Sequence, residues 1–234
     1  EIRASLLLAS VYGLRMLGMF LILPIFAIYA SQLSGSPSQF QIGLALGIYG
    51  LTQAIFQIPF GMTSDVFGRK RVIYFGLAIF ILGSLIAAAS TQIEGIIIGR
   101  AIQGAGAISA VLTALLADLT REEHRTKAMA LIGASIGLTF ALSLVISPWL
   151  NATIGVPGIF LMMAILTLMA FLVIRFFIPE PISAKKNATL TRKDFYVILK
   201  RFDLGRLNLG IFVLHATQIS MFMAVPFYLI NQGG

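Results

Sequence analysis
Of the lysines and arginines, only Arg15 and Arg100 fall well inside apolar stretches long enough to cross a bilayer, whereas Lys127 and Arg175 stand at the ends of theirs. A guanidinium at that depth must face a protein interior or a water-filled cavity, because hydrocarbon offers it no partner. Arg15 lies about eleven residues into its stretch, roughly 16 Å deep and beyond easy snorkelling. Two chemistries fit it: contact with a substrate, or counter-charge to a coupled proton. A structural arginine bonded to backbone carbonyls is the alternative. Arg100 lies about 8 Å into its stretch, with Gln103 one turn further on. Tyr49, Gln53 and Gln57 stand at i, i+4 and i+8, on one helical face. A polar stripe in an apolar helix lines a cavity or binds another helix. His215 is the only side chain within a stretch that titrates near neutral pH, since no stretch has Asp or Glu in its middle. It is a proton-site candidate, or else a satisfied core histidine.

A second set of charges lies between the apolar stretches. Gly61-Met-Thr-Ser-Asp65-Val-Phe-Gly68-Arg69-Lys70-Arg71 combines an acid, three bases and spaced glycines. Gly61 allows close helix approach, and Gly68 allows a tight reversal. An acid contributes little to topology, so Asp65 needs another purpose, such as a charged hydrogen bond to Arg69 or to a helix N-terminus. Asp118 and Arg125 form a second acid–base group.

Other chemistry is excluded or unsupported. Without cysteine, no disulfide or thiol nucleophile exists, and His124 and His215 alone do not make a histidine metal cluster. No cofactor is implied. The G-x-S-x-G match at Gly133–Gly137 sits in an apolar helix, not the strand–turn–helix that a nucleophile elbow requires. Asn151-Ala-Thr and Asn187-Ala-Thr are chance sequons. A phosphate-binding loop is absent, so the chain is not itself an ATP-driven pump. Nor is any nucleophile–base or metal constellation readable, which argues against an enzyme.

The elements that must carry these residues follow from composition. Of 234 residues, 58% are hydrophobic and only 11% charged, whereas a soluble domain has about a quarter charged. The chain therefore reads as an all-α integral membrane protein in contact with a lipid bilayer. Seven stretches meet the ~20-residue requirement for a spanning helix: 4–30, 41–64, 72–90, 95–117, 127–149, 157–178 and 208–231. Basic residues lie before span 1 and after spans 2, 4 and 6, and the connections after spans 1, 3, 5 and 7 have none. That asymmetry places the N-terminus in the cytoplasm. The net charge of +8 is then topogenic, and nucleic acid is not an expected partner. The first stretch is too long for a cleavable signal peptide.

Three domains are expected: a six-helix bundle over 1–178, a cytoplasmic linker over 179–207 and a further transmembrane helix over 208–234. Asp194–Phe202 mixes apolar and basic residues after Thr191-x-x-Asp194, and reads as a helix on the membrane surface. Met19-Phe20-x-x-x-Pro24 recurs as Met221-Phe222-x-x-x-Pro226, six spans later and in the same direction. A parallel repeat of that kind describes two six-helix halves, which puts about 150–200 further residues beyond Gly234. Glu1 in place of Met suggests trimming at the other end.

The Gly61–Lys70 pattern resembles the loop signature G-x-x-x-D-x-x-G-R-K of the major facilitator superfamily. Gly61, Asp65, Gly68, Arg69 and Lys70 match it, while Val66 and Thr63 depart from it. Arg100, Gln103, Gly104, Gly106 and Ala107 match the family's R-x-x-Q-G-x-G-A signature in helix 4. The helix 5 antiporter signature is partial: Gly133 and Gly137 are present, but Ser147-Pro148 replaces Gly-Pro. Residues 14–20 and 49–61 look most like the drug:proton antiporter group of bacterial inner-membrane transporters. The resemblance implies the N-terminal part of the major facilitator fold, six helices plus the first of the second half. It also implies that Asp65, Arg69 and Asp118 form a cytoplasmic clamp and that Arg100 takes part in proton coupling. The expected function is proton-coupled efflux of a small organic molecule by alternating access, with protons, a small-molecule substrate and the missing C-terminal half as partners. Proton-coupled uptake of a metabolite is the alternative, and a seven-helix receptor is the rival from another class. Such receptors place the N-terminus outside, opposite to the charge pattern here.

Overall fold
The computed structural model describes residues 2–106, 108–179 and 202–233, and every regular element among them is a helix. In chain order these are α1 (Ile2–Ser31), α2 (Gln39–Phe67), α3 (Arg69–Ala89), α4 (Ile93–Ala105), α5 (Ser109–Leu119), α6 (Glu122–Phe177) and α7 (Phe202–Gly233). Six segments are long and apolar enough to cross a membrane, with α4 and α5 counted together and α6 counted once.

Helix ends follow local chemistry. α2 begins with a capping box in which the Ser38 side chain accepts from Gln41 N–H and the Gln41 side chain accepts from Ser38 N–H. Gly68, at φ 93°, ends α2 and starts α3 in one residue, a reversal that an L side chain resists.

Two expected spans take a different form. The fourth is not one helix: α4 stops at Gly106, whose N–H bonds Ile102 and Gln103 carbonyls, and α5 restarts at Ser109. The fifth and sixth are joined in α6 with a single non-helical residue, Gly155 (φ 66°, ψ 175°), between two legs. A straight rod would separate Ala128 from Ile174 by about 69 Å. Both instead pack in one cluster with Leu8, Val11, Val72 and Leu115, so the chain doubles back at Gly155. Pro157 just beyond it cannot supply an N–H to continue the first leg. The described chain thus contains seven crossings.

α1 lies at the centre of the bundle. Its first half joins the cluster just named, and its second half (Phe20–Ala30) packs with Ile42, Leu46, Phe80, Ile96, Val156 and Phe160 in another. Close α3–α4 approach depends on Gly83 and Gly99, where an added Cβ would meet the opposing backbone. Gly43 faces Met223 of α7, but Gly47, Gly50, Gly61, Gly133 and Gly137 face open space rather than a close neighbour. The close helix approach expected at Gly61 is therefore not present.

α7 begins at Phe202, six residues before the expected span, and its side chains are largely exposed. Its contacts centre on its middle turns, where Ile219 and Phe222 pack on the α1 cluster. The two repeat phenylalanines meet a common ring: Phe140 is edge-on to Phe20 (centroids 5.1 Å apart) and to Phe222 (6.1 Å). The surface helix expected near 194–202 and the linker from 180 to 201 lie outside the described residues.

Candidate functional site
The basic connections come together at one end of the bundle. Arg69, the first residue of α3, donates from Nη1 to Asp65 at 2.6 Å and from Nε to Asp118 at 2.9 Å. Its Nη1 also donates to Ser64 Oγ at 2.6 Å. Because Asp118 sits in the last turn of α5, this one guanidinium ties the α2–α3 turn to the end of α5. Lys70 Nζ donates to the Ile178 carbonyl, capping the second leg of α6. Gly61 and Gly68 frame the turn, and the Gly61 carbonyl accepts from Ser64 Oγ. Arg125 is not brought to Asp118 as expected. It donates to the Ala117 carbonyl at 3.4 Å, because the start of α6 points it at the open carbonyls that end α5.

Deeper in the bundle, α1, α2, α5 and the first leg of α6 leave an open cleft of about 430 Å³. Tyr12, Gln57, Ser109, Thr113, Ala117 and Met129 are among the residues lining it. From Ser109 to Ala117 the cleft follows α5 for about 12 Å, ending one residue short of Asp118. The cleft therefore reaches toward the basic end.

At the deep end, Arg15 is only 2% exposed. Its Nη1 donates to Ser109 Oγ at 2.8 Å, and Nη2 donates to the Tyr49 hydroxyl and the Gly106 carbonyl at 3.3 Å each. Nε has no partner, and the guanidinium lies 5.5 Å from the Phe80 ring centroid. Gln53 Nε2 also donates to Ser109 Oγ, at 3.3 Å. The stripe on α2 is divided in use: Tyr49 is buried against the arginines, Gln53 reaches Ser109, and Gln57 lines the cleft.

Arg100 is 1% exposed, behind the cleft wall. It donates to the Ala45 carbonyl (3.3 Å) and to Gln103 Oε1 (3.4 Å), and stands 4.8 Å from the Tyr49 ring centroid. Gln103 in turn donates to Ser84 Oγ at 2.7 Å. Gly104 lets the α4 backbone touch Tyr49 and Thr52 of α2. These bonds tie Arg100 and Gln103 to α2 and α3, and they fix the depth of Tyr49. Ala107 lies outside the described residues.

His215 is not part of this group. It is exposed on α7, with Nδ1 2.9 Å from the Ile211 carbonyl of its own helix. Neither a core histidine nor a cleft residue describes it here. Ser109, Thr113, Tyr12, Met129 and Ser64 complete the cleft and network without having stood out in the sequence, where isolated hydroxyls in apolar helices carry no spacing signal.

Fold and site define a class, a multi-pass α-helical membrane protein with a charge network at one end of a polar-floored cleft. Comparison with known proteins narrows it. A family description, Major Facilitator Superfamily, matches residues 8–234. The inner membrane transport protein YajR of Escherichia coli K12 is 46% identical over the whole chain and 52% of its own length. A class B tetracycline resistance protein from E. coli is 32% identical over 62% of this chain and 36% of its own. The inward-open structure of the xylose transporter XylE superposes over 96% of this chain and 63% of its own (TM-score 0.68, 16% identity). The chain belongs to the Major Facilitator Superfamily, a family of transport proteins rather than enzymes, and it spans about half the length of the curated relatives it matches.

Proposed function
We propose that the chain is the first half of a secondary transporter that exports a small organic molecule across a bacterial inner membrane in exchange for protons. The observation that carries this reading is the asymmetry of the cleft. It runs between α1, α2, α5 and α6 toward the Arg69–Asp118 pair. α7 packs elsewhere, through Met223 beside Gly43 at the start of α2 and Phe222 beside Phe140. We read a cleft that reaches toward one end of the bundle while α7 packs away from it as one state of alternating access. With the basic end in the cytoplasm, that state faces inward. The Arg69 network is then the gate that a second half closes against, and Arg15 and Arg100 serve the substrate and proton pathway. Outward, proton-coupled transport draws on the resemblance to the drug:proton antiporter group and on a relative named for tetracycline resistance.

The test is reconstitution of the full-length protein in proteoliposomes with an imposed pH gradient. Saturable flux that a protonophore abolishes is the expected result. Flux indifferent to the gradient would remove proton coupling, and no flux of any compound by folded protein would remove the transporter reading. Residues 1–234 alone should carry no saturable flux, because half of the cleft wall is not in them.

A further inference from the structure
The deep end of the cleft is rich in donors and poor in acceptors. Arg15 and Arg100 are both buried, and the ion pairs of Arg69 with Asp65 and Asp118 lie at the basic end. Among the described residues, neither buried guanidinium has a carboxylate beside it. An uncompensated buried charge is costly, and aromatic faces and carbonyls offset only part of that cost. Arg15 also keeps one N–H without a partner.

Ser109 turns this excess toward the cleft. A hydroxyl has two lone pairs and one proton. Both acceptor positions of Ser109 Oγ are occupied, by Arg15 Nη1 and Gln53 Nε2. No donation by this hydroxyl is recorded among the described residues, so its proton is available to a ligand, as is the second N–H of Gln53. Ser109 and Ala110 line the cleft and are the first two residues of α5. The residue before them, Ile108, makes no side-chain cap to that helix. The break in the fourth span therefore aims a free helix N-terminus, the positive end of its dipole, at the cleft floor. Half-helix ends at mid-membrane are where anionic groups dock in other transporters. Beyond this floor the walls are Tyr12, Ala114, Ala117 and Met129, with Gln57 and Thr113 the polar side chains among them.

We propose that the cleft floor, formed by Ser109 and the start of α5 and backed by Arg15 and Gln53 on the Ser109 hydroxyl, is an anion site that takes the carboxylate of a small aromatic or aliphatic organic acid. The apolar body of the ligand lies along the α5 wall toward the basic end. This deepens the transporter reading by naming a substrate class, and it rests on that reading only for the statement that the bound acid is moved.

Binding is tested on purified full-length protein with benzoate as the probe. Benzamide serves as the uncharged isostere, and sodium chloride at equal ionic strength serves as the salt control. Thermal unfolding should show a saturable rise in Tm with benzoate and none with benzamide or salt. Arg15→Gln should weaken benzoate at least tenfold and Ser109→Ala about threefold or more. Lys127→Gln, at the basic end, should bind like the parent. If Arg15→Gln fails to fold, Ser109→Ala and Gln53→Leu carry the test. Equal response to benzoate and benzamide overturns the proposal. So does unchanged benzoate affinity in the Ser109 and Gln53 variants. A parent protein whose Tm does not respond to benzoate also overturns it. Flux of neutral or cationic compounds without benzoate binding would sink the anion site and leave the transporter reading intact.

Discussion
Removing the Asp118 carboxylate tests whether the basic-end network biases two conformations or merely decorates a surface. Two unit charges about 4 Å apart attract by ~1 kcal/mol in water and ~4 kcal/mol at an effective dielectric of 20. Exposed pairs retain about 0–1 kcal/mol after desolvation and side-chain ordering. The Arg69 side chain is 13% exposed and that of Asp118 is 26%, against 38% for Asp65. The Arg69–Asp118 contact thus stands between these limits, and its coupling should be about 1–2 kcal/mol. The Asp65 contact is nearer the exposed limit and should stay below about 1 kcal/mol. A contact biases two states by no more than its differential energy. At about 1.4 kcal/mol per decade, Asp118 can shift a conformational ratio roughly 5- to 30-fold.

The assay is a double-mutant cycle, Arg69→Gln with Asp118→Asn, on full-length protein unfolded by detergent titration. A parallel cycle uses Asp65→Asn, and flux is measured for each variant. Coupling below about 0.3 kcal/mol for Arg69–Asp118 would be within the scatter of independent sites and would refute the reasoning. So would a larger coupling at Asp65 than at Asp118. Asp65→Asn is expected to slow transport and the swap Asp65→Arg with Arg69→Asp to restore part of it. Undiminished transport by Asp65→Asn removes the gate.

Two further outcomes follow from the fold. Gly83→Ala would place a Cβ 2.6 Å from the Gly99 carbonyl oxygen and should cost about 1–3 kcal/mol by overpacking. Gly155→Ala, forced to φ 66° and ψ 175°, should cost about 1–3 kcal/mol through backbone strain; unfolding curves identical to the parent would show that α3 and α4 do not touch or that α6 does not turn there. In an otherwise thiol-free background, Ser36→Cys and Asn151→Cys should react with an impermeant reagent from outside intact cells, and Lys127→Cys only from the cytoplasmic side. The reverse pattern would overturn the proposed orientation.

How much of this was legible beforehand depends on the scale of the signal. Hydrophobic stretches about 20 residues long are dictated by bilayer thickness, so the crossings could be counted from residue types alone. Glycine and proline were ambiguous by comparison. Gly61 read as a packing position yet faces open space, while Gly83 and Gly99 gave no sign of the backbone contact they permit. A glycine states that a side chain is absent, not what fills the gap. His215 was singled out for its acidity range, but α7 leaves it on an exposed face, away from the cleft.

Chain composition settled that lipid surrounds this protein, that its basic turns share one end and that two arginines are buried. Those are consequences of solvation, and solvation acts on residue types wherever they fall. Only the packing decided what the arginines face. Arg15 meets Ser109 from 94 positions away and Tyr49 from 34, and the break at Gly106 presents a helix end beside them. Hydrogen bonds act over about 3 Å, so partners distant in the chain become neighbours only once the helices have crossed.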